Sequence, residues 1–136
     1  MIDTISTMKL NHLSFPTSDL PATAEFFEKH LGFTIAQKVG EKYYILKRPG
    51  FDVVIEAATD AKPDWPGTFH IGFELPSAEE VRRLYDRFKA DGVHLETDIF
   101  NNDRGSRFFC RAPGGVMFEL NTRADASDEY RGTFDN

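Results

Sequence analysis

The chain repeats itself, and that repeat narrows the possible folds more than any other feature. Tyr43 to Glu56 can be laid on Ser106 to Glu119 without a gap, which sets Arg48 on Arg111 and Glu56 on Glu119. Upstream of each copy runs an alternating segment with a histidine, Leu10-Asn11-His12-Leu13-Ser14-Phe15 in one half and Thr68-Phe69-His70-Ile71-Gly72-Phe73 in the other. Matching segments in matching order define a supersecondary unit that occurs twice and must bury its apolar face with help from its copy.

Between the histidine segment and the repeated hairpin, each half carries a helix with its own start and stop signals. In the first, Ser18 or Asp19 can cap, Leu20, Phe27 and Leu31 form an apolar stripe with Phe26 beside it, and Gly32 ends the helix. In the second, Ser77-Ala78-Glu79-Glu80 reads as a capping box, Val81, Leu84, Tyr85 and Phe88 form the stripe, and Gly92 is the stop. An extended stretch follows each glycine (33–39 and 93–99), then a hairpin turning at Arg48-Pro49-Gly50 or at Ala112-Pro113-Gly114-Gly115. The order is strand, helix, three strands, twice over. This predicts an α+β fold of two tandem βαβββ modules forming a cupped mixed sheet, with the helices packed on its outer face. At 136 residues the chain is sized for one domain, and a module of about sixty residues buries too little surface to stand alone. The expected layout is one module over about 8–61, a connector at 62–67, a second module over about 68–122, and a polar tail over 123–136 with Tyr130 and Phe134 as its apolar contacts.

Side chains alternate across a strand, so each strand splits into two faces. Phe69, Ile71, Phe73 and Leu75 share one face, as do Leu13 with Phe15, Val53 with Ile55, and Val116 with Phe118 and Leu120. These faces should lie under the helices. The opposite faces carry His12 with Ser14, His70 with Gly72, Asp52 with Val54 and Glu56, and Met117 with Glu119. An approximate two-fold axis between the modules would turn the two His-Glu pairs toward each other. Two imidazoles and two carboxylates suit a divalent ion such as Ni²⁺, Co²⁺, Zn²⁺, Mn²⁺ or Fe²⁺, with positions left for water or substrate. His12, Glu56, His70 and Glu119 are therefore the candidate ligands. His30 in the last turn of the first helix and His94 after the Gly92 stop are expected to be structural, and Cys110 should be a packed thiol on the face of Phe108.

A net charge of -6 opposes a phosphate-tracking nucleic-acid binder, and no apolar run approaches the length of a membrane span. One cysteine excludes an internal disulfide framework, and the N-terminal segment lacks a secretory pattern. Small-molecule chemistry in a reducing cytoplasm is the expectation.

With these residues assembled, the chain resembles the vicinal oxygen chelate superfamily, which includes glyoxalase I, fosfomycin-resistance enzymes, extradiol dioxygenases and bleomycin-resistance proteins. The resemblance runs from Leu10 to about Thr122. It is carried by Asn11-His12-Leu13, Asp19-Leu20, Phe26-Phe27, Leu31-Gly32-Phe33, Phe69-His70-Ile71-Gly72, Ala112-Pro113-Gly114-Gly115 and Phe118-Glu119-Leu120. It implies that residues 1–136 form a single glyoxalase-like domain and that the protein is a homodimer, in which each metal site draws on both subunits. The ligand pattern is closest to glyoxalase I, where a carboxylate of the first module stands at the position of Glu56. That implies a metal-dependent lyase or isomerase, with Glu56 or Glu119 moving a proton next to a carbonyl and the metal stabilising the developing oxyanion. The arginine and asparagine with which that family holds glutathione are replaced by Pro16 and Asp60, so glutathione is not implied.

Two other branches supply alternatives. The fosfomycin-resistance branch has a hydroxyl residue at the position of Ser14 and lines its cavity at the positions of Arg107 and Phe109, so these three are the candidate catalytic and substrate-contacting residues there. Arg107 is either a contact for a substrate anion or a solvated charge at a strand start. The potassium loop of that branch falls on Asp103-Arg104-Gly105-Ser106-Arg107, whose arginines oppose a cation. Extradiol cleavage fits less well, because Glu56 would fill an open coordination position. The bleomycin-binding branch would make this a metal-free small-molecule binder.

Overall fold

The computed structural model describes residues 4–59 and 63–135. Asp60 and Lys62, the first connector residue, lie outside them, as does Asn136. The chain divides into two compact units, Met1–Pro63 and Asp64–Asn136. Each is a βαβββ-type module with a mixed sheet and one helix on the sheet's apolar face, so the fold is α+β as the repeat predicts.

In the first unit a short 3-10 turn (Ile5–Thr7) precedes β1 (His12–Thr17), α1 (Leu20–His30), β2 (Thr34–Val39), β3 (Tyr43–Lys47) and β4 (Asp52–Ala57). The sheet order is β1-β4-β3-β2, with β1 parallel to β4 and the other pairs antiparallel. The Asp19 carboxylate caps α1 by accepting from the backbone N–H of Ala22 at 3.1 Å. Gly32, at φ +73°, closes the helix in the left-handed region that glycine enters without a Cβ penalty. The stripe is buried as expected: Leu20, Phe26, Phe27 and Leu31 join Phe15, Phe33, Leu46, Val53 and Ile55 in the core. Phe27 sits at its centre, 5.7 Å from the Phe15 ring and 5.2 Å from that of Phe33.

The second unit contains β5 (Ile71–Glu74), α2 (Ala78–Ala90), β6 (His94–Leu95), β7 (Phe100–Asn102), β8 (Gly105–Arg111) and β9 (Met117–Asn121). Its sheet runs β5-β9-β8-β6, with β7 also paired to β8 and β5 parallel to β9. The Ser77 hydroxyl accepts from the N–H of Glu80 at 3.2 Å, but the Glu80 carboxylate turns outward to Arg83 at 3.0 Å. Half of the capping box is therefore formed, because an i,i+3 ion pair competes for the glutamate. Val81, Tyr85 and Phe88 pack on Phe108, Phe118 and Leu120, with the Tyr85 and Phe88 rings edge-on to Phe108. Cys110 is fully buried on the same face, and burial pushes its thiol up to about 12.

Two expectations are corrected. The histidine strands start later than the alternation suggests, at His12 and Ile71, which leaves His70 just ahead of β5. The extended stretch 93–99 is not one strand. Glu96 and Thr97 both donate their N–H to the Phe109 carbonyl, and the Thr97 hydroxyl takes the Phe109 N–H, so the ladder is interrupted between β6 and β7. In the tail, where Phe134 is an expected contact, Arg123 is fully buried and stacks on Phe134 at 4.7 Å. Asp125 there accepts from the backbone N–H and hydroxyl of Ser106, fastening the tail to the start of β8. No helix among the described residues is long and apolar enough to cross a membrane.

Candidate functional site

In the second unit, the sheet face away from α2 collects four of the candidate residues. His70 Nε2 lies 4.0 Å from Glu119 Oε1. Phe109 is the register partner of Glu119, and Arg107 that of Asn121. The His70 ring stands edge-on to Phe109 with centroids 5.4 Å apart. Gly72, paired with Glu119, brings no side chain to this face, and a Cβ there would sit 3.7 Å from Glu119 Oε2.

Hydrogen bonds hold both groups of the pair. His70 Nδ1 is 2.9 Å from the Thr68 carbonyl. A carbonyl only accepts, so Nδ1 donates to it and the ring is held with Nε2 facing Glu119, the arrangement that orients histidine ligands in metalloproteins. The Asn121 amide donates to Glu119 Oε2, which leaves Oε1 for another partner. Two ligands about 2.1 Å from one ion stand about 3.0–3.4 Å apart at octahedral or tetrahedral angles, so an ion here would draw the 4.0 Å pair closer together.

Arg107 is a buried charge, 8% exposed, and not the solvated one that a strand start allows. Its Nη1 donates to Asn102 Oδ1 at 3.1 Å and to the Gly105 carbonyl at 3.2 Å. Its guanidinium lies 4.6 Å over the Phe100 ring, which in turn stacks on Phe109. Burial lowers its pKa from the ordinary arginine value, Glu119 at 3.8 Å opposes that shift, and Arg104 and Arg123 add to it.

The first unit also sets its candidates on the face away from its helix, but it does not bring His12 and Glu56 together. His12 is the register partner of Asp52, and Glu56 that of Pro16, about 13 Å further along the strand. The Glu56 carboxylate meets Ser14 instead, accepting its hydroxyl at 2.9 Å. His12 Nδ1 is 2.6 Å from Asn11 Oδ1, which again leaves Nε2 free to act as a ligand. His12 lines a depression of about 270 Å³ with Asn11, Ile45, Asp52 and Val54, and Asp52 is paired to Lys47.

The two modules thus differ in register. By sequence, Ser14 matches Gly72 and Glu56 matches Glu119. Gly72 pairs with Glu119, but Ser14 pairs with Val54, two residues short of Glu56. Among the described residues no group of three or more His, Cys, Asp or Glu comes together to hold a metal ion. The imidazole and carboxylate of the His70-Glu119 pair are of the donor types that suit a divalent ion.

Asn121, Asn102 and Phe100 were not among the sequence candidates. Asn121 continues the alternation Met117, Glu119 along β9 and could have been read from it; Phe100 and Asn102 could not, because the extended stretch read from the sequence stops at Ile99, ahead of β7. His30 packs on Phe26 in α1, and His94 pairs with Glu96, so neither joins the site.

Residues 9–120 match the Glyoxalase family, described as the Glyoxalase/Bleomycin resistance protein/Dioxygenase superfamily, and the chain belongs to it. Among solved structures it is similar to a possible glyoxalase from Bacillus cereus, with 30% identity, coverage of 84% of this chain and 98% of that one, and a TM-score of 0.72. Two others share the fold. A lactoylglutathione lyase from Agrobacterium tumefaciens is 18% identical, with 84% of this chain and 92% of that one covered and a TM-score of 0.69. A mutant fosfomycin resistance protein from Listeria monocytogenes, complexed with Mn(II) and dihydroxypropylphosphonic acid, is 21% identical, with 91% and 94% covered and a TM-score of 0.74. No curated protein matches the chain. Fold and family place it in an enzyme-associated superfamily of small-molecule chemistry.

Proposed function

We propose that the protein is a divalent-metal-dependent enzyme of the glyoxalase type, a lyase or isomerase acting on a small molecule. The observation that carries this reading is the His70-Glu119 pair, with Nε2 and Oε1 facing each other at 4.0 Å and each held from behind by a hydrogen bond. His70, Glu119 and His12 would hold the ion, whose identity among Ni, Zn, Co, Mn and Fe these donors leave open. When bound, the ion supplies Lewis-acid polarisation of a substrate oxygen. In this reading Glu56, which meets Ser14 rather than His12, is the base. With one oxygen tied to the Ser14 hydroxyl, its other oxygen can take a proton from a carbon next to a carbonyl and return it to the neighbouring atom. Phe109 stands edge-on beside the His70 ring and gives the site an apolar side. In this reading the protein is a homodimer, by the family relationship, in a reducing cytoplasm that suits its single cysteine.

A second reading has its own support. Ser14 is engaged with Glu56, and the three-ligand set of two histidines and the last glutamate is that of the fosfomycin-resistance branch, so a transferase or hydrolase opening an epoxide is the alternative. One experiment bears on both. Elemental analysis after dialysis should find near-stoichiometric metal in the wild type, loss of it in His70→Ala and Glu119→Gln, and retention in Glu56→Ala. Retained metal with hemithioacetal turnover supports the first reading and epoxide opening the second. A wild type that stays metal-free after soaking with Ni²⁺, Zn²⁺ or Mn²⁺ overturns both and leaves a small-molecule binder.

A further inference from the structure

The side chains beyond the His70-Glu119 pair form a row of defined chemistry. Arg107 lies over Phe100 at 4.6 Å, Phe100 stacks on Phe109 with planes 15° apart, and Phe109 meets the His70 ring edge-on. One end of the row is a cation, its middle is an aromatic wall, and its other end is the His-Glu pair.

The cation is only partly satisfied. Both hydrogen bonds of Arg107 to the protein leave from Nη1, toward Asn102 and Gly105. Among the described residues its Nε and Nη2 make no hydrogen bond, and the nearest carboxylate oxygen, Glu119 Oε1, stands 3.8 Å from Nε. Nε and Nη2 form one edge of the guanidinium, where two parallel N–H groups match the two oxygens of a carboxylate. Glu119 cannot take that role itself, since the Asn121 amide holds its Oε2. The surroundings add positive charge, with Arg104 and Arg123 near enough to act on the guanidinium. In a chain of net charge -6 these three arginines stand close together, and Nε and Nη2 are not among the buried unpaired atoms of the described residues, so an anion from solvent can reach that edge.

We infer that Arg107, Phe100 and Phe109 form a subsite for a carboxylate-bearing substrate with an apolar, preferably aromatic, body: the carboxylate docks on the Nε/Nη2 edge and the body lies along the two rings. The inference rests on the enzyme reading only for the word substrate, because the subsite needs no metal to bind.

The test compares phenylacetate, its neutral isostere phenylacetamide, and phenylphosphonate, by calorimetric titration of the full-length protein before and after chelation. Chelated protein removes direct coordination of the acid by an ion. There, phenylacetate should bind at least about tenfold more tightly than the amide, the scale of one charge-assisted bidentate contact. The preference should vanish in Arg107→Met. In Arg107→Lys, which keeps the charge and loses the fork, it should shrink without vanishing. Equal binding of acid and amide by the wild type overturns the inference, as does a preference that survives in Arg107→Met. If Arg107→Met does not fold, Arg107→Lys decides, and an undiminished preference there overturns the forked contact. Phenylphosphonate binding more tightly than phenylacetate overturns the carboxylate assignment. Metal content of the same preparation separates the two claims. Arg107-dependent acid preference in protein that never holds metal supports the subsite while the enzyme reading fails; metal held without acid preference does the reverse.

Discussion

Gly105 joins the tail to the candidate site, and replacing it with alanine should do measurable harm. The residue opens β8 at φ +99°, a conformation that L side chains rarely adopt; holding one there costs about 1–3 kcal/mol. A Cβ at this position would also overlap the backbone carbonyl oxygen of Thr122 and come to 3.2 Å from Asp125 Oδ1. Neither can retreat cheaply. Thr122 donates its N–H to the Ser106 carbonyl, and Asp125 accepts from the Ser106 N–H. Forcing an extra methyl into a packed site adds about 1–3 kcal/mol. The total of about 2–6 kcal/mol is a large share of the 5–15 kcal/mol typical of a domain. Gly32→Ala is the internal control. Its φ is +73° but nothing lies within 4 Å of its Cβ position, so only the conformational cost of about 1–2 kcal/mol applies. With a urea slope of about 2 kcal/mol/M, Gly105→Ala should lower the midpoint by about 1–3 M and Gly32→Ala by less than about 1 M. Urea titrations followed by far-UV circular dichroism measure both. A Gly105→Ala midpoint shifted no further than that of Gly32→Ala would refute the steric account.

Other outcomes follow from the same geometry. Glu96 is held below its ordinary value of 4.5, first by the hydrogen bond from Arg111 and then by that from His94. A depressed folded-state pKa contributes stability above the unfolded value, and that contribution is lost as pH falls through the folded one. The difference in urea midpoint between wild type and Glu96→Gln should therefore be present at neutral pH and fade below 4.5; a difference constant down to pH 3 would contradict it. Cys110, with its thiol pushed up to about 12, should resist iodoacetamide at pH 8 in the native protein and react once urea unfolds it. Labelling of the folded protein at the rate of a free thiol would show that the β8 face opens.

Much of this fold was legible in the sequence, because local rules and burial pattern agree there. The two caps at Asp19 and Ser77, the glycine stops at Gly32 and Gly92, and the alternation that puts Phe108 and Cys110 under α2 while Glu119 faces away all follow from short-range chemistry and period-two patterning. The repeat and that alternation also put His70 and Glu119 on one face.

The burial of Arg107 was decided elsewhere. Its place at the start of a strand allows either solvent or site, and the Phe100 ring and the Asn102 and Gly105 oxygens that enclose it come from a segment whose ladder is broken by the contacts of Glu96 and Thr97 with Phe109. Strand register was the other decision left to tertiary structure. Sliding a strand by two residues along its neighbour returns every side chain to the face it came from, so the alternation of apolar and polar residues is equally content with Ser14 opposite Glu56 or opposite Val54. Sequence by itself determined which face each candidate occupies. Only packing of the folded sheet determined how far along that face it lies, and that sets Glu119 beside His70 but Glu56 beside Ser14.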